Sequence, residues 1–427
     1  MKKFLVSVLL GSTPFLFYGQ LINKMINTAE VSRIENYLAS DELKGRKTFS
    51  AELDQAAGFI AEEFRQAGLS PLAGQSGYRQ EFVMVQPRFI SAAGVMDNEA
   101  VEAKNIIVVT CKPVLKINEQ SGYEKRVIGS GENLFAAARQ IQQSNKDLLV
   151  LVNTSFASQF GRLAGLKRGM FKTNHSVVFV LTDKDPAVYS FEAVHEITER
   201  KLCNVVGVIP GKSRKDEMVI FSGHYDHLGV GKPVEGDSIY NGANDDAAGT
   251  TAVILLAKYF KALGNNERTL VFAAFTAEEV GAFGSQYFSK QLAPDKVVAM
   301  FNIEMIGTDS KWGKNSAYIT GYDKTDMGSI LQQNLSVSDF RFYPDPYTQQ
   351  NLFYRSDNAT LARLGVPAHT ISTSKMDNEP NYHKVSDEVS TLDLDNMTEI
   401  IKAIAISAGT IISGKDTPAR VKVSDLN

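Results

Sequence analysis

The spacing of apolar residues predicts an α/β protein with a mixed, largely parallel central sheet flanked by helices. From residue 205 onward, short apolar runs at 205–209, 219–221, 270–275 and 297–303 alternate with helical patterns, the order produced by strands joined through crossover helices. The 427 residues are 44% hydrophobic and 22% charged, which supplies a sizeable core, allows two or three domains and excludes disorder or a collagen-like repeat. With 48 acidic and 45 basic residues the formal net charge is −3, so no broad cationic field coats the molecule and a nucleic-acid partner is not expected.

At the N-terminus, Lys2 and Lys3 precede a mostly apolar run from Phe4 to Phe17 that is interrupted at Gly11 and Pro14. This pattern predicts a signal peptide over residues 1–19 and an exported, periplasmic or extracellular protein. The run is too short and too interrupted for a comfortable membrane span, and none is expected in the mature chain. No cysteine follows the run closely enough to carry a lipid. Residues 50–68 then read as a helix with Leu53, Ala56, Ala57, Ile60 and Phe64 on one face and Gly68 as its stop. Strand-like runs follow at 106–109, 148–152 and 177–181. A helix is expected over 247–263, with Val253, Leu256, Phe260 and Leu263 inward and Gly264 ending it.

Chemistry-bearing residues gather where these strands end. Two of the six histidines lie in Ser222-Gly223-His224-Tyr225-Asp226-His227. His224 closes the run ending at Phe221, the sheet edge at which open α/β folds place ligands. Asp226 stands where it can accept from the other ring nitrogen of that imidazole. Asp245 and Asp246 precede the expected helix among small residues, which suits either a cap or a metal ligand that needs access. Glu278 and Glu279 follow the run 270–275; adjacent side chains point differently, so one can ligate while the other carries a proton. Glu304 ends the run 297–303, and His383 lies in the polar loop after an expected strand at 366–371. Five such groups on one rim form a mixed nitrogen and oxygen set suited to zinc or a related divalent ion.

The segments GHYDHLG, GANDDAAG, TAEEVGAFGS, NIEMIG and YHKVSDEV, in this order and spacing, resemble the exported two-zinc aminopeptidase branch of the zinc exopeptidase family. That family also contains glutamate carboxypeptidases and glutaminyl cyclases. The likeness covers about 205–409, and the stretch 38–71, with Ser40-Asp41-Glu42-Leu43-Lys44-Gly45-Arg46, is similar to the family's N-terminal helix region. The resemblance implies two zinc ions per chain. Asp245 would bridge them, His383 and Glu279 would complete one site, and His224 and Glu304 the other. Glu278 would be the general base and Asp226 would orient His224; the 245–246 peptide is often cis in such enzymes. The implied activity is removal of N-terminal residues from peptides with a free N-terminus. Two other functions stay open: a single-zinc glutaminyl cyclase, and an inactive relative serving as a binding domain.

The family usually has aspartate at the position of Glu304, and often Ser-Asp-His where this chain has Ser356-Asp357-Asn358. The imidazole lost in the second departure is expected to be either a substrate-side group or one standing behind the ligands, so substrate preference is the property it would change. The likeness fades between Cys111 and Cys203, where many exported members carry an inserted lid-like domain. The expected organisation is therefore a signal peptide at 1–19, the first part of the catalytic domain at 20–110, an inserted α/β lid at 111–203, the catalytic core at 204–415 and a tail at 416–427. Cys111 and Cys203 either pair across the neck of the insertion or remain separate thiols. His195-Glu196 begins like a zinc-protease helix, but Glu199 stands in place of the second histidine, so a surface helix is expected there. His369 and His175 are expected to be satisfied core residues. No serine-hydrolase elbow, phosphate loop or dinucleotide fingerprint occurs.

Overall fold

The computed structural model describes residues 14–426. The first thirteen residues of the expected signal peptide lie outside that range, and no described helix is long and apolar enough to cross a membrane. The chain divides into two compact units, one made of the segments up to Glu81 and from Cys203 onward, the other of Phe82–Leu202.

In the first unit the strand Arg214–His224 is central. It runs parallel to both Arg268–Phe275 and Val297–Ile303. Val297–Ile303 pairs in parallel with Ala368–Ser372, and the antiparallel strand Ser316–Ile319 and its parallel neighbour Arg341–Pro344 complete that side. On the other side, residues 205–209 run antiparallel to Arg268–Phe275. The predicted fold class is thus present, including its mixed character. Phe221 stacks on Phe272 and Phe301 at ring separations of 5.4 and 4.8 Å, so register is held by an aromatic row across three parallel strands.

The helix predicted at 247–263 spans Ala248–Leu263 and ends at Gly264 in the left-handed conformation. Its first ten residues have no solvent face, every residue from Ala248 to Ala257 being buried, whereas Lys261 and Ala262 near its end are exposed. The helices Pro14–Met25, Thr28–Leu38, Ala51–Ala67 and Leu394–Ser407 pack around it, so tertiary context removes most of the solvent face that its sequence pattern implied. Ala51–Ala67 has the expected boundaries: Ser50 caps it by accepting from the Leu53 N–H, and Gly68 ends it at φ 76°. On the opposite face of the sheet, Phe288, Phe353, Leu361 and Val366 pack against Ile220, Val271 and Met300. The expected tail at 416–427 is not separate: Arg268 donates to the Asp416 carbonyl and Arg420 to the Val297 carbonyl.

The second unit contains a four-stranded sheet ordered Ile106–Val109, Val177–Leu181, Leu148–Val152, Glu124–Ile128, with the helix Leu134–Gln143 contributing Leu134, Ala138 and Ile141 to one apolar face. Its α/β character matches the expectation, but it begins at Phe82 rather than at 111. Ile106–Val109 is a strand of this sheet, antiparallel to Val177–Leu181. His195 sits in the long strand Tyr189–Ile209, not on a surface helix. Its ring is buried, with Nε2 3.1 Å from the Lys167 ammonium. His175 is half-exposed, near Asp147, whereas His369 is the satisfied core residue expected, held by the Thr320 carbonyl and the Thr325 hydroxyl at 2.8 Å each. The two cysteines are free thiols; Cys203 Sγ lies 3.7 Å from the Tyr225 hydroxyl and Cys111 Sγ 3.8 Å from the Phe171 carbonyl.

Candidate metal centre

Parallel strands bring their C-terminal ends to one rim, and there the predicted side chains meet. His224 is the last residue of its strand, Glu278 and Glu279 follow Arg268–Phe275, and Glu304 follows Val297–Ile303. Asp245 reaches the same point just before the central helix, across a cis peptide to Asp246. Its two carboxylate oxygens face different partners. Oδ1 lies 3.2 Å from His224 Nε2, and Oδ2 lies 3.2 Å from His383 Nε2. His383 Nε2 is also 3.3 Å from Glu279 Oε2. Donor atoms of His224, Asp245 and Glu304 lie within 4.8 Å of one another, as do those of His227, Asp245 and Glu279.

Whether these residues suit metal ions can be judged from their hydrogen bonding. His224 Nε2, Glu279 Oε1 and Glu304 Oε2 are buried and have no hydrogen-bond partner, a costly state for polar atoms unless they serve a cation. Separations of 3.2–3.3 Å match the ligand-to-ligand edge of about 3.3–3.5 Å that tetrahedral zinc imposes at bond lengths near 2.0–2.1 Å. The donor set fits. The electrostatics point the same way. Burial opposes charge on His383, yet the Asp245 and Glu279 carboxylates push its ring up to about 10. Burial likewise opposes ionisation of Asp245, and the His224 and His383 imidazoles hold its carboxyl well below the usual range. The surrounding carboxylates favour positive charge at this point.

Three further residues shape the site. Asp246 turns inward: its Oδ2 accepts from the His224 N–H at 3.1 Å and its Oδ1 from the Gly249 and Met305 N–H groups at 2.9 and 3.1 Å. A Cβ on Gly249 would lie 2.4 Å from that carboxylate and 2.1 Å from the Ile303 carbonyl oxygen. The small residues beside the paired aspartates therefore make room for Asp246 itself rather than only for a ligand. Asp387 accepts from the Asn244 and Asp245 N–H groups at 2.8 and 3.0 Å. Arg46, fully buried, donates to the carbonyls of Tyr225, Asn241 and Gly242 at 2.6–2.9 Å, and to that of Leu38. It ties together the two loops carrying Asp226 and Asp245.

Asp226 orients His224 differently from expectation. The His224 Nδ1 partner is the Asp226 backbone carbonyl at 3.1 Å, while the carboxylate Oδ1 is 3.9 Å away. That carboxylate accepts from the Glu278 N–H and the Thr48 hydroxyl, both at 3.0 Å. Asp226 thus also positions the Glu278 backbone. Burial, then the charges of Glu304, Asp357 and Glu279, raise the Glu278 carboxyl well above its ordinary value. Ala277, Met305 and His383 hold positive φ, at 58°, 53° and 56°, backbone strain within or next to the candidate side chains. Asn358 lies behind the pocket, bonded to its lining residue Thr370. Its amide donates to the Phe353 and Ala368 carbonyls and accepts from Thr370, within a buried polar network. A pocket opens beside Glu304, lined by Met305, Tyr318, Leu352, Arg355, Met376 and Tyr382.

Residues 204–407 match the model of peptidase family M28. Curated relatives of the chain include leucine aminopeptidase 1 of Trichophyton rubrum, 26% identical over 211 residues covering 47% of this chain and 56% of that protein. Aminopeptidase Y of Saccharomyces cerevisiae is 27% identical over 206 residues, covering 46% of this chain and 36% of that one. The chain thus spans about half the length of these relatives, or less. The fold is shared with an aminopeptidase from Aneurinibacillus sp. strain AM-1, with TM-score 0.54, 17% identity and coverage of 96% and 98% of the two chains. A zinc aminopeptidase from Bacillus subtilis gives TM-score 0.54 at 15% identity, covering 94% of this chain and 98% of its own. The M28 region coincides with the strands and loops that supply the cluster, apart from Arg46 and Thr48.

Proposed function

We propose that this protein is an exported metallo-aminopeptidase that hydrolyses N-terminal residues from peptides, with two zinc ions per chain and Glu278 as general base. The observation that carries the reading is the two-sided use of Asp245, whose oxygens face His224 and His383 at 3.2 Å each. A bridging carboxylate with separate partners on either side supports two ions over the single-zinc cyclase alternative. His224 and Glu304 would hold one ion, His383 and Glu279 the other. When bound, such ions lower the pKa of water and polarise a carbonyl oxygen. The Glu278 carboxylate takes the proton from the attacking water and delivers it to the leaving amide nitrogen, which departs poorly as an anion. Its raised affinity for protons suits that task. Asp226 holds the Glu278 backbone in place, and the partly exposed His383 and Tyr382 leave the site open to a peptide end. The adjoining pocket, where Met305, Leu352 and Met376 stand beside Thr320, Arg355, Ser356 and Thr370, would receive the first side chain.

The test is release of chromogenic amines from a panel of amino-acid amides by metal-replete protein, with metal content measured on the same sample. Two metals per chain and amide cleavage agree with the reading. One metal with pyroglutamate formation identifies a cyclase, and two metals without turnover a binding relative. Export is checked by the N-terminal mass of the mature protein, expected to begin near residue 20.

A further inference from the structure

His227 lies outside the five-ligand set, yet its ring is fully enclosed and its Nδ1 stands 2.8 Å from Glu279 Oε1 and 3.9 Å from Asp245 Oδ2. The contact is short but poorly aligned for a hydrogen bond, and neither nitrogen of His227 nor Glu279 Oε1 has a partner of hydrogen-bond geometry. Two buried polar atoms so close, with neither directed at the other, are arranged as neighbouring ligands of a third atom rather than as donor and acceptor. The separations of 2.8 and 3.9 Å straddle the tetrahedral edge of about 3.3–3.5 Å expected for zinc.

The fold also immobilises this imidazole. The His227 N–H is bonded to the Arg46 carbonyl at 3.2 Å. Its ring lies against Gly242, where a Cβ would come within 2.5 Å of His227 Cγ. Gly242 also has φ 60°, so glycine serves there both for its backbone conformation and for the space it leaves. The ring planes of His227 and His383 meet at 67° with centroids 5.8 Å apart, compatible with two imidazoles approaching one centre from different sides.

We infer that His227 is an additional ligand of the ion held by Glu279 and His383, giving that site two imidazoles and two carboxylates against one imidazole and two carboxylates at the His224 and Glu304 site. The inference rests on the two-metal reading. Its consequence is unequal affinity: the site richer in nitrogen fills first and retains zinc longest.

The experiment is stepwise zinc titration of metal-free full-length protein, with total zinc checked by elemental analysis, on wild type and His227→Ala. Wild type is expected to bind two equivalents, the first more tightly. The variant should bind that equivalent at least tenfold more weakly while the other changes little. X-ray absorption of wild type loaded with one equivalent gives an answer even if the variant fails to fold: two imidazoles at the zinc are expected. Unchanged affinities in a folded variant, or one imidazole at the singly loaded zinc, overturn the role of His227 and leave the two-metal reading standing. Wild type that binds no zinc overturns both.

Discussion

Under the proposed mechanism, replacing Glu278 with glutamine should separate proton transfer from metal binding. The carboxamide has nearly the same shape, and the Glu278 N–H stays bonded to Asp226 Oδ1 at 3.0 Å, so the backbone has no cause to move. Glu278 belongs to neither donor set, so metal content should be unchanged. Loss of a positioned base costs a factor of about 10²–10⁴ in kcat, or about 3–5 kcal/mol on the barrier. Stability should change in the opposite sense. Burial and the nearby Glu304, Asp357 and Glu279 charges raise the Glu278 carboxyl in the folded, metal-free protein. A raised acid contributes stability below its unfolded pKa and loses it as pH rises through the folded pKa. Metal-free Glu278→Gln should therefore lose less stability than wild type as pH is raised from about 4.5. The assays are amide hydrolysis at saturating zinc, elemental analysis and denaturant unfolding of the metal-free proteins at several pH values. Turnover within tenfold of wild type at equal metal content would refute the assigned role, and loss of a metal equivalent would make Glu278 a ligand instead.

Chelation should lower the unfolding temperature at neutral pH, because the carboxylates around Asp245 lose their counter-charge; zinc returned at a hundredfold excess over each Kd should restore about 2.7 kcal/mol per site, read by thermal melts. Thr48→Val removes the hydroxyl from Asp226 Oδ2 and leaves a buried acceptor unpaired, so denaturant unfolding should show a loss of about 1–3 kcal/mol. Glu35 is buried without a hydrogen-bond partner for either carboxylate oxygen, and burial pushes its carboxyl up to about 8. Its contribution to stability is present below about pH 4.5 and lost as pH rises through 8, so Glu35→Gln should flatten the decline in stability across that window, measured by unfolding at pH 5, 7 and 9.

Local order determined much of this protein from sequence alone. Apolar runs ending in His224, Glu304 and the Glu278–Glu279 pair were legible because strand periodicity and the rim position of strand ends are local properties. Ser50 and Gly68 marked their helix for the same reason, since caps act within one turn. What required the tertiary structure were the contacts joining distant segments. Nothing near Asp246 or Asp387 shows that one secures the N–H groups of two strand ends and of the central helix's first turn, and the other two loop N–H groups. His195 shares its short-range pattern with a zinc-binding helix, yet strand pairing took it into a sheet. The central helix reads as amphipathic along its length but is buried over its first ten residues because four other helices surround it. His227 sits three residues from His224 in a segment whose first histidine already had a role; only the turn through Tyr225 and Asp226 and the open space over Gly242 bring its ring to Glu279. A residue's type and its neighbours along the chain specify what it can bind, whereas long-range packing decides which groups share a centre, because coordination depends on ångström distances that chain separation does not encode.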